Sequence, residues 1–209
     1  MKRVPLVPTA LVALAVAAMI GLGLWQLLIR LPAKEAFLQQ LAANPAKPAI
    51  AFPRAPDDRL LFRRARGVCL PPVSVTLAGA GAAGFRAIAQ CGSGPEGPGM
   101  LVQLGTTRDP FARVRWAGGE VSGTISHAPD ARSLVGAVFD RRPQRLMLVA
   151  DPPPPGLAPN GKPDLGSVPN NHLAYAGQWF FFALVATVIY ALALRRRGGP
   201  AVAPARPGG

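Results

Sequence analysis

The chain contains few of the residues on which most protein chemistry depends. Its 209 residues include two histidines, two cysteines and 10 acidic residues, against 23 lysines and arginines. Cys69 and Cys91 form neither a CxxC pair nor the Cys/His spacing of a zinc site, so we expect no structural metal site. The sequence lacks GxSxG and HExxH motifs and paired carboxylates, and only His127 and His172 could act as histidine bases. We therefore expect that the protein is not an enzyme.

Two long stretches, residues 6–29 and 175–194, contain no Asp, Glu, Lys, Arg or His. At about 1.5 Å per residue, each stretch is long enough as a helix to cross a hydrocarbon layer of about 30 Å. A cleaved signal peptide is the alternative for the first, because Lys2 and Arg3 form a basic start and residues 15–17 resemble a cleavage site. The apolar run continues to Trp25, which favours a transmembrane helix.

The short tails predict the orientation of these two helices. Residues 1–5 and 195–209 both carry basic side chains, and short basic segments stay on the cytoplasmic side of a membrane. Too few residues precede the first helix for a mitochondrial transit peptide. We therefore expect a multi-pass protein of the bacterial inner membrane with both termini in the cytoplasm.

Residues 30–150, which follow the first hydrophobic stretch, are predicted to form a periplasmic β-rich domain. It opens with a short amphipathic helix at 34–43, and residues 151–174 are expected to form a Pro-rich connector and interface motif. In the predicted domain, glycine and proline separate short apolar stretches, which is typical of an antiparallel sheet, sandwich or small barrel. The predicted strands are 60–66, 73–78, 85–91, 101–106, 114–125, 134–139 and 146–150.

The whole segment between the two hydrophobic stretches, residues 30–174, also carries excess positive charge. It holds all 10 acidic residues and 17 of the 23 basic ones, which leaves a net charge of +7. Such a charge favours binding to anionic lipid or to acidic partner surfaces, and nucleic acid is not an expected partner outside the cytoplasm.

Cys69 and Cys91 each lie at the end of a predicted strand in an oxidising compartment. A disulfide between them is one expectation, and two unbonded cysteines remain the alternative.

Two further motifs favour ordinary structural interpretations. Residues 79–84 match GxGxxG after a predicted strand, but no full helix and no suitably placed carboxylate follow. A hairpin turn explains these glycines better than nucleotide binding does. His127, in the sequence Ser-His-Ala-Pro, is interpreted as a surface turn residue.

His172 lies immediately before the second hydrophobic stretch, on one helix face with Trp179 and close to Tyr175. One interpretation is an aromatic belt that anchors the helix at the lipid headgroups. The other is an axial ligand of haem iron, with aromatic rings flanking the macrocycle and Arg30 or Lys34 pairing with propionates.

The end of the first hydrophobic stretch carries residues that could complete such a site. Gln26 is an amide near the end of a spanning helix, where it can reach water or bond to the second helix. Gly21 and Gly23 would permit close approach of the two helices. Close packing would bring Trp25 and Gln26 towards His172 and Tyr175.

These two helix ends resemble the signature ends of the SURF1 family. The resemblance rests on Gly23, Trp25, Gln26, Arg30 and Lys34, and on Asn171-His172-Leu173-Ala174-Tyr175-Ala176 with Trp179-Phe180. It implies an assembly factor, or chaperone, for cytochrome c oxidase that helps to place haem a in the catalytic subunit. It further implies His172 as a ligand of the haem iron, Trp25, Gln26, Tyr175 and Trp179 as its neighbours, and transient haem a as cofactor. The implied partners are the catalytic subunit and other oxidase assembly factors.

The chain departs from the family pattern at one informative point. Between Trp25-Gln26 and Arg30 it holds one more residue than the usual WQxxR spacing. On a regular helix one residue rotates the following side chains by about 100°, so Arg30 is not expected to contact a propionate. The chain thus resembles a divergent, compact member of the family. A cofactor-free, membrane-anchored periplasmic interaction module for another membrane complex remains the alternative function.

Overall fold

The computed structural model describes residues 5–92, 99–130, 140 and 142–198. The chain forms two compact units. The first contains the two ends of the chain, up to Ala36 and from Pro169, and the second contains Phe37–Val168.

Three helices account for nearly all of the first unit. Helix α1 is Leu6–Trp25, a π turn occupies Gln26–Arg30, and helix α2, Leu31–Ala42, continues from that turn into the second unit. Helix α3 is His172–Gly198. Thr9 bonds to Tyr190 and Gln26 bonds to His172, so α1 and α3 pack against each other antiparallel. Both helical segments are long and apolar enough to cross a membrane, by length and composition.

The faces that α1 and α3 turn towards each other have a regular spacing. The less exposed positions of α1 recur after four and three residues, which is the repeat of antiparallel helix packing with a small crossing angle. Within α1 they are Thr9, Val12, Val16, Met19 and Gly23, and Pro5 and Gln26 continue the same spacing just outside its two ends. Small residues, Gly23 on α1 and Ala176 and Ala183 on α3, are buried in this seam. Leu, Val, Ile and Phe side chains cover the outward faces, where a lipid environment would solvate them.

The second unit is built on one sheet of seven described strands. They are β1 Ile50–Ala51, β2 Arg64–Cys69, β3 Ser74–Gly79, β4 Phe85–Gln90, β5 Leu101–Thr107, β6 Gly119–His127 and β7 Leu146–Ala150. Their order in the sheet is β1-β2-β6-β7-β5-β4-β3. Among the described strands, β1 and β3 stand at the two ends of this order.

The prediction of an antiparallel sheet is wrong, because the sheet is mixed. β7 pairs in parallel with β5, and β1 pairs in parallel with β2, whereas the other neighbours are antiparallel. All five residues of β7 are buried. This continuous apolar run suits a central strand covered on both faces, and β7 accordingly lies between β5 and β6.

Most of the predicted strands are found, with shifted ends. The stretch 60–66 becomes strand only from Arg64, and the stretch 114–125 only from Gly119. The predicted strand 134–139 lies outside the described residues. β1 was not predicted, since two residues are too short to show an alternating pattern. The predicted helix at 34–43 exists as the later part of α2, continuous with the hydrophobic helix before it.

Two main clusters form the core of the sheet unit. Leu41 of α2 is fully buried in the first, against side chains of β2, β6 and β7 such as Ala65, Ile125 and Leu148. The second contains Cys69, Ala87, Ala89, Cys91, Val102, Leu104 and Ala150. The amphipathic residues at the end of α2 thus help to close the core.

The open question about the cysteines is answered by a Cys69–Cys91 disulfide. The two Cα atoms are 5.1 Å apart, and the bond joins residues 22 positions apart in sequence. It connects the end of β2 to the residue after β4, although these strands are not neighbours in the sheet. The bond therefore links two separated parts of the sheet within the second core cluster.

The prediction of a hairpin turn at residues 79–84 is confirmed. This segment connects β3 to β4 through a short 3-10 turn, Gly81–Ala83, and the Ala80 N–H donates to the Gly84 carbonyl. Gly84 has a φ of 84°, and a Cβ there would lie 2.6 Å from the Thr107 carbonyl oxygen. The glycines therefore satisfy the backbone of a tight turn.

Candidate functional site

The side chains of Gln26 and His172 meet where α1 ends and α3 begins. His172 Nδ1 lies 2.8 Å from Gln26 Oε1, and the pair is partly buried. An amide oxygen only accepts hydrogen bonds, so the hydrogen of the neutral imidazole is on Nδ1. The lone pair is then on Nε2, the nitrogen that does not face Gln26. Such a nitrogen can bind a metal ion or accept a hydrogen bond.

Close approach of the two helices at this level depends on Gly23. A Cβ at Gly23 would lie 2.7 Å from the ring of Phe180 on α3, so any other residue must displace that ring. Gly21 is different, because a Cβ there would meet nothing within 4 Å. The expectation that both glycines permit close packing is thus met by Gly23 and is wrong for Gly21.

The guanidinium of Arg30 lies over the ring of Trp25, the residue next to Gln26. The Arg30 guanidinium carbon lies 5.5 Å from the centre of the Trp25 ring, within cation–π distance. Both side chains are exposed. The expectation that the extra residue rotates Arg30 away was calculated for a regular α-helix. That calculation does not apply here, because residues 26–30 form a π turn.

Tyr175 and Trp179 follow His172 along α3. The Tyr175 side chain is about half exposed, and its backbone N–H donates to the Asn171 carbonyl at the helix start. Trp179 is partly buried and packs edge-on against Phe182 of the same helix, with ring centres 6.4 Å apart. The structure therefore joins Gln26 directly to His172 and places the tyrosine and tryptophan rings one and two turns further along α3.

His127 belongs to the other unit and has a different partner. It ends β6, and its Nε2 lies 2.8 Å from Asp58 Oδ1 in an exposed pair, which the sequence did not suggest. Nearby, the Arg59 side chain donates to Asp57 and lowers the pKa of that carboxyl. Within the described ranges, no group of three or more His, Cys, Asp and Glu side chains is arranged to hold a metal ion.

Sequence reasoning missed two features of the helical unit. The first is the π turn, for which the extra residue before Arg30 and the proline at position 32 were the available signals. The second is the hydrogen bond between Thr9 and Tyr190, 2.6 Å long, at the other end of the helix pair. The signal for that contact was the presence of polar side chains inside the hydrophobic stretches. Thr9 lies near the start of the first stretch, and Tyr190 lies near the end of the second.

Replacing Gly23 with Val is expected to break the Gln26–His172 hydrogen bond. The added side chain overlaps the Phe180 ring, so the helices must separate at this level. The measurement is the ¹⁵N spectrum of histidine-labelled full-length protein in detergent, which contains only two histidines. The Nδ1–H signature of His172 should give way to mixed tautomers.

Gly21→Val is the matched control, because its side chain enters open space. Its spectrum should resemble that of the unchanged protein. Adding Phe180→Ala to the Gly23→Val variant should restore the signature in part, since the overlapping ring is gone. An unchanged His172 signal in Gly23→Val would contradict the role given to the glycine.

The comparisons with known proteins agree with the resemblance of the two helix ends. A profile of the SURF1 family matches residues 13–184, which is most of the chain. No curated protein and no solved structure matches it.

Proposed function

Because the chain belongs to the SURF1 family, whose members act in cytochrome oxidase assembly, we propose that it assists the insertion of haem a into the catalytic subunit of cytochrome c oxidase. Haem a is then transient cargo. The family consists of assembly factors and is not a known enzyme family, so the proposed role is to hold and hand over this cargo without turnover. The catalytic subunit and other oxidase assembly factors are the proposed partners.

The proposed location is the bacterial inner membrane, with both termini in the cytoplasm and the sheet unit in the periplasm. Two observations support it. The apolar helices α1 and α3 are antiparallel, so the two chain ends leave on the same side, and α3 ends in the basic residues Arg195 and Arg196. The Cys69–Cys91 disulfide suits an oxidising compartment.

The hydrogen bond from His172 Nδ1 to Gln26 is the observation that carries the proposal. It leaves the lone pair of Nε2 available, which is the nitrogen by which a neutral imidazole binds haem iron. The half-exposed rings of Trp25 and Tyr175 offer apolar surface for a macrocycle near the iron ligand. Gln26 acts as the positioning residue, since it orients the imidazole and selects its tautomer.

Replacing His172 with Ala is the direct test. We expect the full-length protein, purified in detergent and mixed with haem, to lose the absorption spectrum of histidine-ligated haem. Free imidazole should restore that spectrum, because it can enter the space left by the side chain. His127→Ala is the matched control, since it removes the other histidine of the chain and should leave the spectrum unchanged. Identical spectra for His172→Ala and the unchanged protein would contradict the ligand role.

A second experiment tests the role in the cell. Reduced-minus-oxidised spectra of membranes from a strain lacking the protein should show loss of the haem a bands, with the b and c bands preserved. Complementation with the His172→Ala variant then separates two functions. Failure to restore the haem a bands supports haem handling, whereas full restoration favours a cofactor-free module that chaperones the oxidase subunit.

A further inference from the structure

The π turn that joins α1 to α2 changes which side chains share a face. The Leu31 N–H donates to the carbonyl of Gln26, five residues earlier, where an α-helix would use the residue four earlier. Pro32 follows directly. Proline has no N–H to donate and its ring clashes with the carbonyl four residues before it in a regular helix, so this is a place where an α-helix is weakened.

This turn brings Trp25 and Arg30 together. In an α-helix, residues five apart differ by about 140° around the axis, because each residue turns about 100°. A turn widened by one residue brings positions five apart close to alignment. The observed 5.5 Å between the guanidinium carbon and the Trp25 ring centre fits the wider turn. The π turn therefore absorbs the extra residue and leaves Arg30 on the face of Trp25.

The guanidinium over Trp25 is suited to bind a carboxylate. Arg30 is exposed, and within the described part of the chain it forms no ion pair. Contact with the face of an indole ring leaves the N–H groups of a guanidinium free for two parallel hydrogen bonds to a carboxylate. Trp25 precedes Gln26 in the sequence, and the Gln26 side chain bonds to His172. Arg30 and the imidazole of His172 therefore lie at the same end of the helix pair.

We propose that Arg30, held on Trp25 by the π turn, binds a propionate carboxylate of the haem whose iron His172 binds. This inference rests on the proposed function, and it assigns to Arg30 a propionate contact that the residue spacing on a regular helix had argued against. The same guanidinium could instead meet a lipid phosphate, which carries the same kind of anionic oxygens. The experiments below separate the two sources.

The first experiment combines a variant with a modified ligand. Iron protoporphyrin IX and its dimethyl ester, which lacks free carboxylates, are titrated into full-length protein in detergent. We expect Arg30→Gln to weaken binding of the free acid about fivefold and to leave binding of the ester unchanged. The histidine-ligated spectrum at saturation should persist in Arg30→Gln, because Arg30 does not bind the iron.

Two results would overturn the inference. Equal weakening of acid and ester by Arg30→Gln would assign Arg30 a merely structural role. Unchanged affinity for both, with loss of phospholipid retained through purification, would assign the site to a lipid phosphate. The proposed function is tested separately, by loss of the haem spectrum in His172→Ala. If that spectrum depends on His172 but Arg30→Gln affects the acid and the ester equally, only the role of Arg30 is rejected.

The second experiment tests the π turn itself through a matched deletion and insertion. Deleting Leu28, an exposed residue, shortens the Trp25-to-Arg30 spacing to four and should convert the π turn into an α turn. We expect this variant to keep the acid-ester difference. Inserting Ala after Leu28 should rotate Arg30 by about 100° and abolish the difference. Loss of the difference in the deletion variant, with the insertion variant unaffected, would reject the proposed register.

Discussion

Gly123→Ala is expected to destabilise the sheet unit by about 3 kcal/mol, one of the largest effects of any single methyl group in this protein. Gly123 is buried in β6 opposite Ala150 of β7. A Cβ there would overlap the carbonyl oxygen of Val149, which is backbone and cannot rotate away. The added methyl must therefore push β6 away from the central strand and stretch the ladder between them.

The measurement is thermal unfolding of the full-length protein in detergent, followed by the fluorescence of Trp116. This side chain packs against the second core cluster, and Trp25→Phe with Trp179→Phe leaves it as the only tryptophan. We expect the unfolding temperature to fall by about 10 °C. Gly79→Ala is the control, because Gly79 is also in a strand but a Cβ there meets nothing within 4 Å. Equal unfolding temperatures for the two variants would contradict the packing argument.

Removal of the Cys69–Cys91 disulfide is expected to have an effect of similar size. Closing a loop of this length restricts the unfolded chain, and the usual estimate for a separation of 22 residues is about 3 kcal/mol. Both cysteines are buried in the second core cluster, so the Cys69→Ala/Cys91→Ala double variant also loses packing contacts there.

The same unfolding measurement separates the cross-link from the packing. A thiol reductant should lower the unfolding temperature of the unchanged protein and should have no effect on the double variant. The difference between the reduced protein and the double variant then reports the lost sulfur contacts. An unfolding temperature that reduction leaves unchanged would show that the bond contributes nothing to the stability of the sheet unit.

Much of the architecture was predictable because it depends on local pattern. Uninterrupted apolar runs predict the two long helices, and the glycines at 79–84 predict a hairpin, since each signal is contained within a few turns of chain. The parallel pairing of β7 with β5 was not predictable in this way. An apolar run such as 146–150 indicates that a strand is buried, but not which strands lie beside it.

In the candidate site, too, some features follow from the local sequence and others depend on the packing of distant segments. The sequence by itself determined which residue types stand at the two helix ends: Trp25, Gln26 and Arg30 at one, and His172 and Tyr175 at the other. Only the tertiary structure decided three contacts. Gln26 bonds to Nδ1 of His172, and Gly23 rather than Gly21 faces α3. The guanidinium of Arg30 lies over the ring of Trp25. The physical reason is that these three outcomes depend on the packing of distant segments and on the hydrogen-bond register of one helical turn. Residue spacing alone implies a uniform helix, and at this turn the helix is not uniform.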